Sequence, residues 1–338
     1  MNTRLLQNAL LMATCVLMTF SLVLGASCTR SEETSRPEVG HKTKKIPPQK
    51  ALGNGKLKSQ KEKKFVIDDP SLKLTFEQIK DVVSKAKSAA YQIYSVKVGL
   101  TPSAKRKLFI ARGELADRIP VIFSFQVLRD DEKIVLVDSG FISERMKRKW
   151  KVVDYRDPVV GLGALGIVPE QVDDIIITHR HWDHVGGLSL FPKSKIWMPR
   201  LEFKTAVRKF EAKSPVIVNA LKSAESEGRM KWTKRLQEIM PGIVVVRQGL
   251  HTRHFQYVIV KSPKGIWVIA SDVGGLYENF DGPVSSGQTL NPEASVQALR
   301  HIMQLVDNRL DRIVPSHDPK VFTRFPSVKP GVVLITKD

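Results

Sequence analysis

Cysteine is nearly absent from this chain, because its two cysteines, Cys15 and Cys28, both lie near the N-terminus. The rest of the sequence can therefore form no disulfide, and it offers no thiol nucleophile and no cysteine ligand for a metal ion. A domain of about 270 residues can still bury a sufficient hydrophobic core without such crosslinks. Chemistry in this chain must rest on other side chains.

Long apolar runs are also lacking, except from Ala9 to Gly25, which follow a single early charge at Arg4. This pattern is typical of an export signal. Its end, Leu24-Gly25-Ala26-Ser27-Cys28, resembles a bacterial lipoprotein signal, with the leucine one position further from the cysteine than usual. We predict an export signal over 1–28 and a membrane-anchored lipoprotein, lipidated at Cys28, on the periplasmic or cell-surface side. The alternatives are cleavage near Ser27, which gives a secreted protein, and retention as a single membrane anchor.

Acidic residues are scarce just after this signal. From Lys42 to Lys64 there are nine lysines and a single acid, Glu62. Such a polar segment cannot bury enough apolar surface to fold, so residues 29–64 are predicted to be a disordered tether that touches anionic lipid or has no partner. One folded domain is then expected over 65–338.

Aromatic residues are not interleaved with the basic ones, although the chain carries a formal net charge of +20. Much of that excess lies in the tether. Basic clusters such as Lys105-Arg106-Lys107 lack the stacking platforms typical of nucleic-acid binding. No nucleic-acid partner is expected, and the sequence leaves the oligomeric state open.

One run after the apolar stretch 175–178 is rich in metal-ligand residue types: His179-Arg180-His181-Trp182-Asp183-His184. Imidazole and carboxylate groups are ligands that suit zinc and similar ions. These ligands are more than one tetrahedral ion needs, so the run predicts two metal ions. In an extended chain the side chains at i and i+2 point the same way, which directs His179 and His181 to one ion and leaves Asp183 and His184 for the other.

Three further candidate ligands, His251, Asp272 and His317, each follow an apolar run that predicts a buried strand. Ligands at the ends of several strands can meet at one edge of an α/β scaffold. The sequence therefore predicts that these three residues complete one site with the run 179–184.

This pattern, HxHxDH followed by His, Asp and His, resembles the metallo-β-lactamase superfamily. The resemblance implies an α/β fold, the αβ/βα four-layer sandwich of two mixed sheets flanked by helices. Within the superfamily, Tyr277-Glu278-Asn279 and His317-Asp318-Pro319 resemble the N-acyl homoserine lactonase family. Members of that family usually carry glycine where this chain has Ser316.

The resemblance also implies a ligand set and a mechanism. His179, His181 and His251 would hold one divalent ion, Asp183, His184 and His317 the other, and Asp272 would bridge them. Zinc is the expected metal. A hydroxide shared by the two ions would attack the lactone carbonyl, because bound metals lower the pKa of water from about 15.7 towards 7.

Two residues receive catalytic roles by the same resemblance. Tyr277 is a candidate donor to the oxyanion, or alternatively a packed aromatic beside the site. Asp183 is a candidate for passing a proton to the leaving alkoxide. Asp138, in a strand-ending turn, resembles the superfamily residue that orients the metal-binding loop, and a simple turn is the alternative.

Three functions follow from these observations. The first is a lipid-anchored dinuclear hydrolase that opens N-acyl homoserine lactones or related lactones. The second is a hydrolase of the same superfamily that acts on β-lactams, phosphotriesters or thioesters. The third is a non-catalytic metal-binding surface lipoprotein.

Periodicity predicts a helix near Phe76 to Ala90 and charged helices over 203–240. The segment 203–240 is expected either to cover the site as a lid or to pack against the core.

Overall fold

The structure, a computed structural model, describes residues 73–336 of the chain. The predicted export signal, the predicted tether and Cys28 lie outside the described residues. Within 73–336 no helix combines the length and the apolar character needed to cross a membrane.

The strands form two mixed sheets. The first has eight strands: β1 (Gln92–Lys105), β2 (Arg118–Arg129), β3 (Ile134–Val137), β4 (Asp174–Ile176), β5 (Lys195–Met198), β6 (Met230–Trp232), β12 (Ser327–Lys329) and β13 (Val332–Leu334). Their order is β12-β13-β1-β2-β3-β4-β5-β6. The second has five, in the order β11-β10-β9-β8-β7: β7 (Leu236–Met240), β8 (Ile243–Arg247), β9 (Gln256–Ser262), β10 (Gly265–Ser271) and β11 (Ile313–Pro315).

One helix precedes β1 and the others lie between strands in the chain: α1 (Phe76–Lys85), α2 (Glu144–Trp150), α3 (Pro158–Gly163), α4 (Trp182–Val185), α5 (Arg200–Phe210), α6 (Pro215–Ser226), α7 (Pro292–Leu305) and α8 (Val321–Arg324). Local sequence explains where several begin. Thr75 and Gln78 form a capping box at α1, and Asn291 caps α7 ahead of Pro292.

Alternating side chains explain the layering. In β8, Val244 and Val246 pack with α1 and α7 on the outer face, while Val245 faces the other sheet. The first sheet uses its outer face in the same way, packing against α3, α5 and α6. Helices therefore cover both outer faces of two stacked sheets, and the predicted αβ/βα four-layer sandwich is confirmed.

Two predictions of secondary structure were wrong in part. The first helix ends at Lys85, since Ala86 is extended and the backbone N–H of Lys87 bonds to Glu238 rather than continuing the helix. The charged segment 203–240 is helical only in its first half. Its second half forms β6 and β7, because pairing with β5 and β8 outweighs helix propensity there.

The helical half of that segment packs against the core. Phe203, Ala206, Ile217 and Leu221 lie in the hydrophobic cluster on the outer face of the first sheet. Of the two roles expected for the segment, the structure therefore favours core packing over a lid.

Candidate metal centre

The seven predicted ligands come together where strands β4, β8, β10 and β11 give way to loops. They form two groups, in each of which the candidate ligand atoms lie within 4.8 Å of one another. The first group contains His179, His181, His251 and Asp272, and the second contains Asp183, His184 and His317. Two ligand atoms bound to one ion at about 2 Å lie at most about 4 Å apart, so the atoms of each group are close to the spacing that a single ion requires.

Asp272 connects the two groups through its two carboxylate oxygens. Its Oδ2 lies 3.1 Å from Nε2 of His251 and 3.7 Å from Nε2 of His179. Its Oδ1 lies 3.3 Å from Nε2 of His184 and 3.2 Å from Nε2 of His317. One oxygen therefore faces each group, which is the geometry of a carboxylate shared between two sites.

The run from His179 to His184 bends sharply after β4, because the short helix α4 begins at Trp182. Two glycines follow α4 and allow the chain to pass close to the turn after β3. A Cβ added at Gly187 would lie 2.1 Å from the carbonyl oxygen of Ser139, and one at Gly186 would lie 2.2 Å from that of Trp182. The close approach lets the backbone N–H of Ser139 bond to the carbonyl of His184 at 2.8 Å.

Asp138 lies beneath the site at the end of β3, and its contacts favour the orienting role over a simple turn. Its Oδ2 lies 2.7 Å from Nδ1 of His184, and its Oδ1 accepts from the backbone N–H of Thr178 at 2.8 Å. The Thr178 hydroxyl also lies 3.1 Å from Nδ1 of His179. Asp138 adopts a left-handed backbone with φ of 66°, a conformation that Asp and Asn tolerate better than most residues. This carboxylate fixes the orientation of His184 and leaves its Nε2 facing the site.

Glu202 is a buried carboxylate beside the first group that the sequence analysis did not identify. Its Oε1 accepts from the backbone N–H and the guanidinium of Arg180, at 3.0 and 2.8 Å, and from the Thr252 hydroxyl at 2.8 Å. Arg180 lies between His179 and His181, and Thr252 follows His251. Glu202 therefore ties together the two loops that supply the first group. Its position at the start of α5, remote in sequence from the motif, gave no signal.

The second group is supported from another direction. Nδ1 of His317 lies 2.9 Å from the carbonyl oxygen of Ile122, so that nitrogen carries the proton and Nε2 faces Asp272. The hydroxyl of Ser316 donates to Oδ1 of Asp272 at 2.7 Å. The residue at which this chain departs from the lactonase-like pattern thus contacts the shared carboxylate directly.

Burial sets the protonation of the first group. It lowers the pKa of His179 well below its usual value and lowers the pKa of His181 to about 3. It also lowers the pKa of His251. These imidazoles are therefore neutral at pH 7, which is the form that binds metal ions.

Carboxylates set the protonation of the second group. Burial alone would lower the pKa of His184, but Asp138, Asp183 and Asp272 outweigh it and raise that pKa well above its usual value. Burial would raise the pKa of Asp272, but the imidazoles of His317 and His184 outweigh it and hold the carboxyl ionised. The positive charge of the second group thus faces the negative charge of the shared carboxylate.

The donor set fits divalent metal ions. Imidazoles and carboxylates are the preferred ligands of zinc and related ions. Nε2 of His184 is buried and has no hydrogen-bond partner among residues 73–336, although it lies only 3.5 Å from Oδ2 of Asp183. A buried nitrogen left in this state needs a further partner, and a metal ion supplies one.

Tyr277 does not join either group. Its hydroxyl donates to the carbonyl of Ile313 at 3.1 Å, and its ring lies in the hydrophobic cluster between the sheets. The guanidinium of Arg324 covers that ring at 4.3 Å from its centroid. Of the two interpretations given above, this geometry favours the packed aromatic over the oxyanion donor.

Comparison with known proteins identifies the family of this chain. The model of the metallo-beta-lactamase superfamily matches residues 126–317. An N-acyl homoserine lactonase of Agrobacterium fabrum is 26% identical over 227 residues, which cover 60% of this chain and 81% of that protein. For an N-acyl homoserine lactonase of Bacillus thuringiensis the identity is 24% over 158 residues, and the match spans 46% of this chain and 60% of that protein.

Solved structures show the same fold. A quorum-quenching N-acyl homoserine lactone lactonase superposes with a TM-score of 0.61 at 20% identity, over 73% of this chain and 100% of that chain. A dizinc quorum-quenching lactonase with a bound product superposes with a TM-score of 0.54 at 17% identity, over 75% and 96% of the two chains. Because the superfamily model covers more than half of the sequence, and because the fold and the metal-binding residue groups agree with it, this chain is a hydrolase of the metallo-β-lactamase superfamily.

Proposed function

We propose that this chain is an exported, dinuclear metal-dependent hydrolase that opens the ring of lactones, with N-acyl homoserine lactones as the substrate class. The position of Asp272, with one carboxylate oxygen facing each ligand group, is the observation that carries the proposal. The lactonases among the similar proteins support the choice of substrate class.

In this proposal His179, His181 and His251 hold one divalent ion, Asp183, His184 and His317 hold the other, and Asp272 contacts both. Zinc is the proposed metal. Two such ions, when bound, supply a nucleophile from water at neutral pH and polarise a carbonyl oxygen.

Ring opening also requires a proton for the leaving oxygen, and Asp183 is placed to transfer it. Asp183 and His317 lie together, with Oδ2 of the former 3.7 Å from Nε2 of the latter. We assign to Asp183 the transfer of a proton from the attacking water to the alkoxide that leaves when the ring opens. The product is a hydroxy acid.

Apolar surface beside the second group suits a substrate with an acyl chain. The rings of Phe109 and Phe123 pack edge-on against His317, with centroids 5.3 and 5.6 Å from it. Trp182 packs on Phe123 at 5.1 Å and is partly exposed. Phe109 and Phe123 are buried, so Trp182 is the member of these three that offers apolar surface to the tail of such a substrate.

Export and anchoring complete the proposal. The apolar run that ends at Cys28 supports a lipoprotein anchored to a bacterial membrane, with the enzyme held on its periplasmic or cell-surface side by residues 29–64.

A substrate panel tests the proposed activity. The metal-loaded chain and the variant His181→Ala would each be assayed on an acyl homoserine lactone, a simple lactone, a β-lactam and a phosphotriester. We expect lactone turnover that the variant loses. Turnover of another substrate alone would replace the lactonase by a different hydrolase of the superfamily. No turnover by a chain that retains its metal ions would favour a non-catalytic metal-binding lipoprotein.

A further inference from the structure

A cavity lies apart from the metal centre. It is lined by residues in and beside β10, by the residues that lead into β11, and by the end of α8. It has a volume of about 810 Å³. Its lining includes Lys264, Trp267, Arg309, Asp311, Arg312 and Arg324, and none of its lining residues belongs to the two metal-ligand groups. We call this cavity the basic cleft.

The charge of the basic cleft is strongly unbalanced. Its lining contains four cationic side chains and one acidic side chain, Asp311. Arg309 already neutralises Asp311, since its Nη2 and Nε lie 2.7 and 3.3 Å from the two carboxylate oxygens. Within residues 73–336, neither Arg312 nor Arg324 has an acidic partner within 4.0 Å. Among the described residues, the guanidinium charges of Arg312 and Arg324 are therefore not offset by a neighbouring carboxylate.

Arg312 is held in place by its surroundings. Its guanidinium lies 5.2 Å from the ring centroid of Trp267, and its Nη2 donates to the carbonyl of Lys264 at 3.0 Å. Gly265 leaves the room that this position needs, because an added Cβ there would lie 2.2 Å from Nη1. These contacts fix the guanidinium of Arg312 at the wall of the basic cleft.

Arg324 is placed in a similar way by a second aromatic ring. It covers Tyr277 at 4.3 Å, and Tyr277 is itself fixed by the bond from its hydroxyl to Ile313. Stacking on aromatic faces restrains a guanidinium and leaves its edge free to form paired hydrogen bonds with an anion. Two guanidinium groups restrained before binding lose less entropy when a ligand arrives.

We propose that the basic cleft binds a phosphate group, carried either by a small soluble compound or by a lipid headgroup. Guanidinium groups match phosphate oxygens in paired, charge-assisted hydrogen bonds. Arg312 and Arg324, which have no acidic partner within 4.0 Å among residues 73–336, together match an anion of about −2 better than a monocarboxylate such as the product of lactone opening. The volume leaves space for the organic part of the ligand beside the phosphate.

This inference is independent of the proposed hydrolysis, since it uses none of the metal ligands. It also gives Tyr277 a role that agrees with its observed contacts, namely support of Arg324. Tyr277 therefore acts in this proposal as a positioning residue for an anion.

Titration calorimetry with inorganic phosphate tests the proposal on the full metal-loaded chain. We expect saturable binding that is at least tenfold weaker in Arg312→Gln and in Arg324→Gln. Arg145→Gln is the matched control, because Arg145 is exposed on α2 and its replacement removes the same charge. Arg324 is exposed, so its variant remains informative if Arg312→Gln folds poorly.

Three results would overturn the proposal: no saturable binding, equal weakening in all three variants, or weakening only in Asp272→Asn. The last result would place the phosphate on the metal ions.

Vesicles of phosphatidylcholine with and without phosphatidylglycerol then distinguish the sources of phosphate. Reduced flotation of the Arg312 and Arg324 variants with phosphatidylglycerol, relative to Arg145→Gln, supports a lipid headgroup. Equal flotation of all variants, together with weaker inorganic phosphate binding, supports a soluble phosphate compound.

Discussion

The two ligand groups use similar side chains in opposite electrostatic surroundings. In the first group burial dominates, and the imidazoles of His179 and His181 have lowered pKa values. In the second group the neighbouring carboxylates dominate, and the pKa values of His184 and His317 are raised. The identity of a ligand therefore does not fix its protonation, which depends on the residues packed around it.

The difference has a direct consequence for metal binding. A neutral imidazole can bind an ion without losing a proton, whereas a protonated imidazole must release one first. We therefore expect the first group to bind its ion over a wider pH range than the second. Asp272, which contacts both groups, is the residue through which they affect each other.

The largest effect on metal binding and hydrolysis is expected from a substitution that removes the negative charge shared by the two groups. Asp272→Asn keeps the size of the side chain but removes its negative charge. We expect both ions to bind more weakly and lactone hydrolysis to fall on the order of 10²–10³-fold. Metal content and turnover measure this, with the exposed Asp131→Asn as control. Retention of both ions would show that Asp272 is not shared.

A smaller effect on metal affinity is expected from Glu202 and Asp138, the carboxylates that hold the two ligand groups in place, and it should differ between the groups. Glu202→Gln leaves the partly buried guanidinium of Arg180 without its counter-charge and should lower metal affinity in the first group roughly tenfold. Asp138→Asn should do the same to the second group, because the charge opposite His184 is lost. Competition with a chelator measures both affinities. Exposed Glu225→Gln is the control, and equal weakening of both sites by either variant would contradict the separation.

Acidification should also separate the groups. The raised pKa of His184 means that a proton competes with the metal as the pH falls, lowering affinity about tenfold per pH unit for each proton released. His181, with a pKa of about 3, carries no competing proton between pH 5 and pH 7. Metal content after dialysis at decreasing pH should therefore fall from about two ions to about one. Loss of both ions together would refute the difference.

The smallest expected effect concerns Ser316. Its hydroxyl bonds to Oδ1 of Asp272, the oxygen that faces His184 and His317. Ser316→Ala should weaken metal binding in the second group only a few-fold, since a single hydrogen bond contributes about 0.5–1.5 kcal/mol. Chelator competition measures the change. A change confined to the first group would show that this bond does not act through Oδ1.

The sequence predicted the metal ligands more completely than the residues that hold those ligands in place. The ligands from His179 to His184 follow one another in the chain, and His251, Asp272 and His317 each follow an apolar strand, so local patterns were sufficient to find them. Asp138 was found through its turn. Glu202 was not found, because its contacts with Arg180 and Thr252 depend on how α5 packs against the site, and no local pattern records that.

The fold was predictable where local apolar patterns indicate the elements. Alternating and continuous apolar runs predict the strands around the site, whereas the sequence pattern predicts helices at Met230–Trp232 and Leu236–Met240, which are strands. These strands are short and contain lysine, glutamine and glutamate, and they exist because neighbouring strands offer unpaired backbone groups. The basic cleft was missed as well, since Arg312 and Arg324 meet around it only in three dimensions.

The position of the metal centre between the two sheets has a mechanical consequence. His179 and His181 follow β4 of the first sheet, whereas His251 and Asp272 follow β8 and β10 of the second. An ion bound by these side chains would crosslink the two sheets reversibly. Ions at a hundred times their dissociation constant stabilise a native state by about 2.7 kcal/mol. Scarcity of metal would then shorten the lifetime of the folded enzyme as well as stop its catalysis, so supply of the ion would govern how much of the protein persists.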